Sequence, residues 1–254
     1  MLKYFILFFS LITNSQELII LEKMKNFFYI LLVAVFLACN SNFSRKDHSI
    51  HWQNFSPEYD ALCIQAYNIA KNRIDKLNIN DSNKPLAIVA DIDETMLNNL
   101  PYNQMLIDSS LKFSQKTWSQ WVNKKIAKPI PGALSFFNHV DSLGIEIIYI
   151  SNRKTENYEP TKLNLINAGF PFNDNTIMLL RDTDSNKEKR RSSVDNFNVV
   201  MLLGDNLADF QDSFYGKSNV DKKKIVELEK KKFGNEFILF PNLIYGPWEE
   251  GFEE

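Results

Sequence analysis

The chain is poor in the residues that usually cross-link, hinge or span. Its 254 residues hold two cysteines, Cys39 and Cys63, so if Cys39 is modified no intramolecular disulfide is possible and stability has to come from packing. Glycine is scarce beside phenylalanine (8 against 20), which leaves turn-making to Asn, Asp, Ser and Pro. The three histidines, His48, His51 and His139, form no cluster with zinc spacing, and no Arg-His-Gly motif supports a phosphohistidine mechanism. A Gly-x-Ser-x-Gly elbow and a Walker loop are absent, which removes two further hydrolase classes. Charge is balanced at a formal −2, against a protein dedicated to nucleic-acid polymers. No repeat of solenoid length is visible.

No apolar run reaches the ~20 residues of a spanning helix. The first, Leu2 to Ile12, is followed by polar residues; the second, Phe27 to Ala38, follows Lys23-Met24-Lys25-Asn26. The second has the proportions of a signal peptide: basic start, apolar middle, small residue at the end. It closes on Phe36-Leu37-Ala38-Cys39, similar to a bacterial lipobox with Phe where Leu is usual. A lipid on Cys39 would anchor the chain to a membrane, each buried CH₂ contributing about 0.8 kcal/mol. The expected layout is a leader over 1–39, a polar tether over 40–55 and one domain over 56–254. Met24 is a natural start, and Met1 the other choice. Cys63 shares an apolar helix face with Tyr59, Leu62, Ala66, Ile69 and Ala70 and is read as a small core residue.

Within the domain, Ser56-Pro57-Glu58 starts a helix with a capping side chain and a proline whose missing N–H costs nothing. Leu86 to Ala90 is continuously apolar, the pattern of a strand covered on both faces. Further strands are predicted near 145–150, 177–180, 199–203 and 236–240, with helices at 131–143, 160–168 and 221–232. The alternation predicts an α/β fold, a parallel sheet with helices on both sides. The stretch from about 96 to 130 breaks the alternation and reads as a small, mainly helical cap. The lysine clusters at 222–224 and 230–232 read as the wet face of an amphipathic helix.

Ligands of such sheets sit beyond the carboxyl ends of the strands. Asp91 and Asp93 follow the first strand, Ser151-Asn152-Arg153 the second, and Gly204-Asp205-Asn206 the fourth, so three polar clusters converge at one edge. Phosphoryl transfer needs a nucleophile, a proton donor and positive charge around the transferring group. Paired carboxylates need a cation or must share a proton, and Mg²⁺ prefers such oxygen ligands. Asp205 and Asp209 complete an oxygen shell, Ser151 can donate to a phosphate oxygen, and Lys187 can neutralise developing charge.

Asp91-Ile92-Asp93-Glu94-Thr95, Ser151-Asn152-Arg153, Lys187 and Gly204 to Phe210 resemble the four motifs of the haloacid-dehalogenase superfamily. More narrowly the chain resembles the class C acid phosphatases, the bacterial outer-membrane lipoprotein e family with 5′-nucleotidase activity. Trp118 to Val122, Ile130 to Ala133 and Phe240 to Glu249 extend the likeness over nearly everything after about residue 55. The resemblance implies a Rossmann-like parallel sheet with a small helical cap, and hydrolysis of phosphomonoesters outside the cytoplasm by a lipoprotein of the cell envelope. It implies that Asp91 is the nucleophile and Asp93 the acid and base. It implies Mg²⁺ held by Asp91, the backbone carbonyl of Asp93 and Asp205, with Asp209 in support. Ser151, Asn152 and Lys187 would grip the phosphate, and Trp118 and Tyr245 would stack a nucleobase or nicotinamide ring. Pro247 stands where the family often has glycine, and Ser151 where some relatives have threonine. A broad or sugar-phosphate phosphatase, and a surface lipoprotein that binds a ligand without catalysis, remain the competing readings. A homodimer is left open.

Overall fold

The computed structural model describes residues 20, 22–29, 45–78 and 82–250. The chain divides into Met1–Ser44 and Arg45–Glu254. In the first unit residues 22–29 are helical and exposed; the run Leu2 to Ile12 and the Phe36-to-Cys39 motif lie outside the described residues. Among the described residues no helix is long and apolar enough to cross a membrane.

The second unit begins with helices α1 (Arg45–Phe55) and α2 (Pro57–Ile74), then β1 (Leu86–Ala90) and the short β2 (Leu97–Asn98). Helices α3 (Leu100–Asp108) and α4 (Gln115–Lys124) precede β3 (Lys128–Pro129), which pairs antiparallel with β2. There follow α5 (Ala133–Ser142), β4 (Glu146–Lys154), α6 (Tyr158–Asn167), β5 (Met178–Arg181) and α7 (Glu188–Ser192). The unit closes with β6 (Asn198–Gly204), α8 (Asn219–Leu228) and β7 (Phe237–Leu239).

All five residues of β1 are buried, because this strand lies at the centre of the sheet. It pairs in parallel with β4 on one edge and β6 on the other, in the order β5-β4-β1-β6-β7. The fold is therefore α/β with a parallel sheet. The chain builds outward through β4 and β5 and then returns to the opposite side of β1. Open α/β sheets bind ligands at such a reversal, beyond the carboxyl ends of the strands, which here is the end of β1.

Helix α2 starts as its sequence dictates: the Ser56 side chain accepts from the Glu58 N–H at 3.2 Å, with Pro57 in the first turn. Its buried stripe is Tyr59, Cys63, Tyr67, Ala70 and Ile74. Leu62 and Ile69, expected on the Cys63 face, are instead 42% and 36% exposed. They fall about 100° around the helix from the residues that touch the core. Tyr67 packs against Phe136, Phe137 and Phe240, and its hydroxyl donates to the Thr95 carbonyl at 2.5 Å. This fastens α2 to the loop that follows β1. Gly132 (φ +87°) sits so close to Tyr67 that an added Cβ would lie 3.1 Å from Cδ2.

Two expected boundaries move. Residues 45–55, expected within the tether, form α1, whose Ile50 and Gln53 are buried. The compact unit thus starts eleven residues before Ser56. The helix expected over 221–232 ends at Leu228, and Lys222 within it is buried, so that lysine does not belong to a wet face.

Candidate active site

Asp91 is the first residue beyond β1, and its backbone N–H still donates to the Leu203 carbonyl of β6 at 2.9 Å. The ladder thereby delivers its carboxylate to the end of the sheet. Lys187, just before α7 and 5% exposed, donates through Nζ to Asp91 Oδ1 and lies 2.7 Å from Asp209 Oδ1. Asp205 follows β6, and its Oδ2 accepts from Asn242 Nδ2 at 2.7 Å. Asp91, Asp205 and Asp209 each place one oxygen within 4.8 Å of the others.

Asp209 is set by a reciprocal cap. The Asn206 N–H donates to Asp209 Oδ2 at 3.0 Å, and Asn206 Oδ1 accepts from the Ala208 N–H at 3.0 Å. A Cβ on Gly204 would lie 2.5 Å from Asp209 Cβ and 2.7 Å from its Cγ. Only glycine lets this carboxylate fold back over the strand end.

Three clustered carboxylates stand here beside one lysine, which pairs with Asp91 and Asp209 but not with Asp205. Burial pushes the Asp91 carboxyl up to about 7; Lys187 opposes the shift, and Asp209 and Asp93 reinforce it. Asp205 is raised well above the carboxylate range, chiefly by burial and then by Asp209 and Asp91. Burial alone would lower the Lys187 ammonium, but Asp209 and Asp91 outweigh it and hold it up at about 12. Carboxylates held this way fit a hard divalent cation, which would supply the missing positive charge.

Asp93 faces a different environment. Its carboxylate accepts from Arg153, at 3.1 Å from Nε and 2.7 Å from Nη2, and from Asn99 Nδ2 at 2.8 Å. Glu94 stands in the left-handed region (φ 55°) and is wholly buried. Gln53 of α1, the Asn99 N–H and the Tyr245 hydroxyl donate to it at 3.2, 3.2 and 3.4 Å. Burial, then Asp93, lifts its carboxyl to about 8.

The phosphate-grip candidates are tied to the same edge. Ser151 is buried, its Oγ accepting from the Arg153 N–H at 3.2 Å. Arg190 donates to the Ser151 carbonyl and to Asn152 Oδ1, both at 2.6 Å. The two aromatic candidates enter different surroundings. Trp118 packs against Tyr102 at 5.0 Å and lies over the Arg153 guanidinium at 5.6 Å. Tyr245 packs with Ile50, Leu100 and Ile244. Asp91, Lys187, Asp205 and Asp209 thus form one cluster, with Asp93 beside it on its own partners.

Sequence reasoning gave no role to Arg153, Asn99, Glu94, Arg190 or Asn242. Glu94 lies inside the motif that starts at Asp91, Arg153 inside Ser151-Asn152-Arg153 and Asn242 inside the C-terminal stretch, so a signal existed for these three. Asn99 is six residues past Asp93, at the end of no strand that the sequence predicts, because the two-residue β2 before it is too short to leave a pattern.

A parallel sheet with buried aspartates and a lysine at its switch point defines a phosphoryl-transfer site of the haloacid-dehalogenase type. The family described as HAD superfamily, subfamily IIIB (acid phosphatase), matches residues 34–248, and the chain belongs to it. Its fold matches the class C acid phosphatase from Bacillus anthracis with tungstate bound, at TM-score 0.77 and 38% identity over 81% of this chain and 86% of that one. Similar curated proteins include a stem 28 kDa glycoprotein of Glycine max, 28% identical over 68% of each chain. Acid phosphatase 1 of Solanum lycopersicum is 27% identical over 61% of this chain and 62% of its own length. Family and fold together make the chain a phosphomonoesterase.

Proposed function

We propose that the site hydrolyses phosphomonoesters through an aspartyl-phosphate on Asp91, with nucleoside 5′-monophosphates as substrates. The observation that carries this reading is the cluster of Asp91, Asp205 and Asp209 at the strand-order reversal, with Lys187 paired to Asp91 and Asp209. Asp91 attacks phosphorus, and the bond to the leaving oxygen breaks as Asp93 supplies that oxygen with a proton. Water then attacks phosphorus and gives its proton to Asp93; the acyl-phosphate bond breaks, freeing Asp91 and inorganic phosphate. Lys187 holds Asp91 Oδ1, leaving the other oxygen as nucleophile. Ser151 and Asn152 donate to the phosphate oxygens. Mg²⁺, held by Asp91, the Asp93 carbonyl and Asp205 with Asp209 in support, would stabilise negative charge on the phosphoryl group.

The nucleotide reading is supported by two half-buried aromatics, Trp118 and Tyr245, each in contact with a residue that touches the Asp93 region. The decisive experiment is phosphate release by the chain starting after Cys39, on nucleoside monophosphates and sugar phosphates, with Mg²⁺ or EDTA. Release confined to Mg²⁺ and favouring nucleotides is expected. Trp118→Ala should erase that preference, and a preference that survives removes the stacking role. No release from any monoester overturns the reading.

We also place the enzyme in the cell envelope, outer membrane included, on a lipid attached to Cys39, as the leader and its lipobox-like end support. Cys39→Ser should move the protein from the membrane to the soluble fraction; unchanged fractionation removes the anchor.

A further inference from the structure

The Asp93 carboxylate is held asymmetrically. Arg153 Nε donates to both of its oxygens at 3.1 Å, Arg153 Nη2 to Oδ1 at 2.7 Å and Asn99 Nδ2 to Oδ1 at 2.8 Å. Oδ1 therefore meets three N–H donors and Oδ2 one. A carboxylate oxygen has two lone pairs, so Oδ1 is filled and Oδ2 keeps one free.

The two donors are themselves fixed. Arg153 is 2% exposed, its Nη1 donates to Thr161 Oγ1 at 3.1 Å, and the Trp118 ring covers its guanidinium. Asn99 is wholly buried; its Oδ1 accepts from Trp121 Nε1 at 2.8 Å and its N–H is engaged by Glu94. Since Asn99 and Trp121 belong to the segment between β1 and α5, the grip joins that segment to the sheet end.

We propose that Arg153 and Asn99 are positioning residues for proton transfer, holding Asp93 by Oδ1 so that Oδ2 exchanges the proton with the reacting oxygens. The proposal rests on the acid and base role given to Asp93 above. In the first half-reaction the O–H bond on Oδ2 breaks as one forms on the leaving oxygen, while the Asp91–phosphorus bond replaces the ester bond. In the second, Oδ2 takes the proton of the attacking water as the acyl-phosphate bond breaks. Misplacing a reacting group by about 1 Å can cost about 10²-fold in rate. Lysine keeps the charge of Arg153 but lacks the planar fork that meets both oxygens.

The test is kcat/KM with Mg²⁺ for a series of phosphate esters, from alkyl through phenyl to 2,4-dinitrophenyl phosphate. Only the poor leaving groups need a proton as they depart. Arg153→Lys and Asn99→Ser are expected to lose about 10²-fold on alkyl esters and under about tenfold on the dinitrophenyl ester. In an Asp93→Asn background Arg153→Lys should add less than about threefold, because the pair acts as a unit. A uniform loss across the series, or fully additive losses, overturns the proposal. Thermal melts verify folding: if one variant fails to fold, the other carries the series, and failure of both overturns the positioning role as well. Asp91→Asn is run in parallel; phosphate release surviving there ends the aspartyl-phosphate reading and leaves the leaving-group result standing.

Discussion

Asp91→Asn is expected to remove phosphate release by at least about 10⁴-fold while leaving the chain folded. An amide presents no anionic oxygen to phosphorus, so the covalent step has no nucleophile. Stability should move the other way in the absence of metal. The native cluster sets three carboxylates beside one lysine, and burial and the neighbouring aspartates disfavour charge on Asp91. The isosteric amide removes one of those charges, and Lys187 keeps Asp209, 2.7 Å away. In EDTA the variant should therefore melt no lower than the parent, whereas Mg²⁺ should raise its melting temperature less. Release at more than a tenth of the parent rate would sink the nucleophile assignment.

The metal-free enzyme should be most stable in mild acid and lose a few kcal/mol as pH rises from about 4 to 8. The folded-state carboxyls of Asp91 and Glu94 are held at about 7 and about 8, against ordinary values of 3.8 and 4.5. Folded chains therefore keep protons that unfolded chains release. This contribution is complete below the ordinary values and disappears as pH climbs through the raised ones. The surface carboxylates Asp75 and Asp221, and the half-exposed Glu229, are lowered by their own hydrogen-bonded partners and pull the opposite way only in stronger acid. As surface pairs they contribute little. Mg²⁺ competes with protons for the cluster, so its stabilisation should grow with pH, toward about 2.7 kcal/mol at a hundredfold excess over its dissociation constant. Urea midpoints from pH 4 to 8, with EDTA and with Mg²⁺, check this. Greatest stability at pH 8 in EDTA would contradict it.

The sheet was legible because its central strand carries no polar residue. Leu86 to Ala90 leaves no wet face, and that alone calls for neighbours on both edges and cover above and below. Asp91 and Asp205 were legible for the same reason, since each follows a strand whose end is easy to locate; Ser151, expected just past its strand, lies inside β4, which runs on to Lys154. Helix α1 was not, because its Arg-Lys-Asp-His start and scattered Ile50, Trp52 and Gln53 show no helical stripe. Its place depends on Gln53 meeting Glu94, a contact between residues 41 apart. Asn99 was hidden because its position follows from the turn made by Glu94 at φ 55°, which a non-glycine sequence does not announce.

The strand order β5-β4-β1-β6-β7 has a consequence for how this protein comes into being. Asp91 comes from the first strand of the sheet, Lys187 from beyond β5, Asp205 from beyond β6, and Asn242, which steadies Asp205, from beyond the last strand. Contacts of such wide sequence separation form slowly, because distant segments must first find one another. A partly folded chain has strands and helices but no complete set of site side chains. Catalysis is thus the last property the chain acquires, and an emerging chain carries its aspartates as ordinary solvated acids.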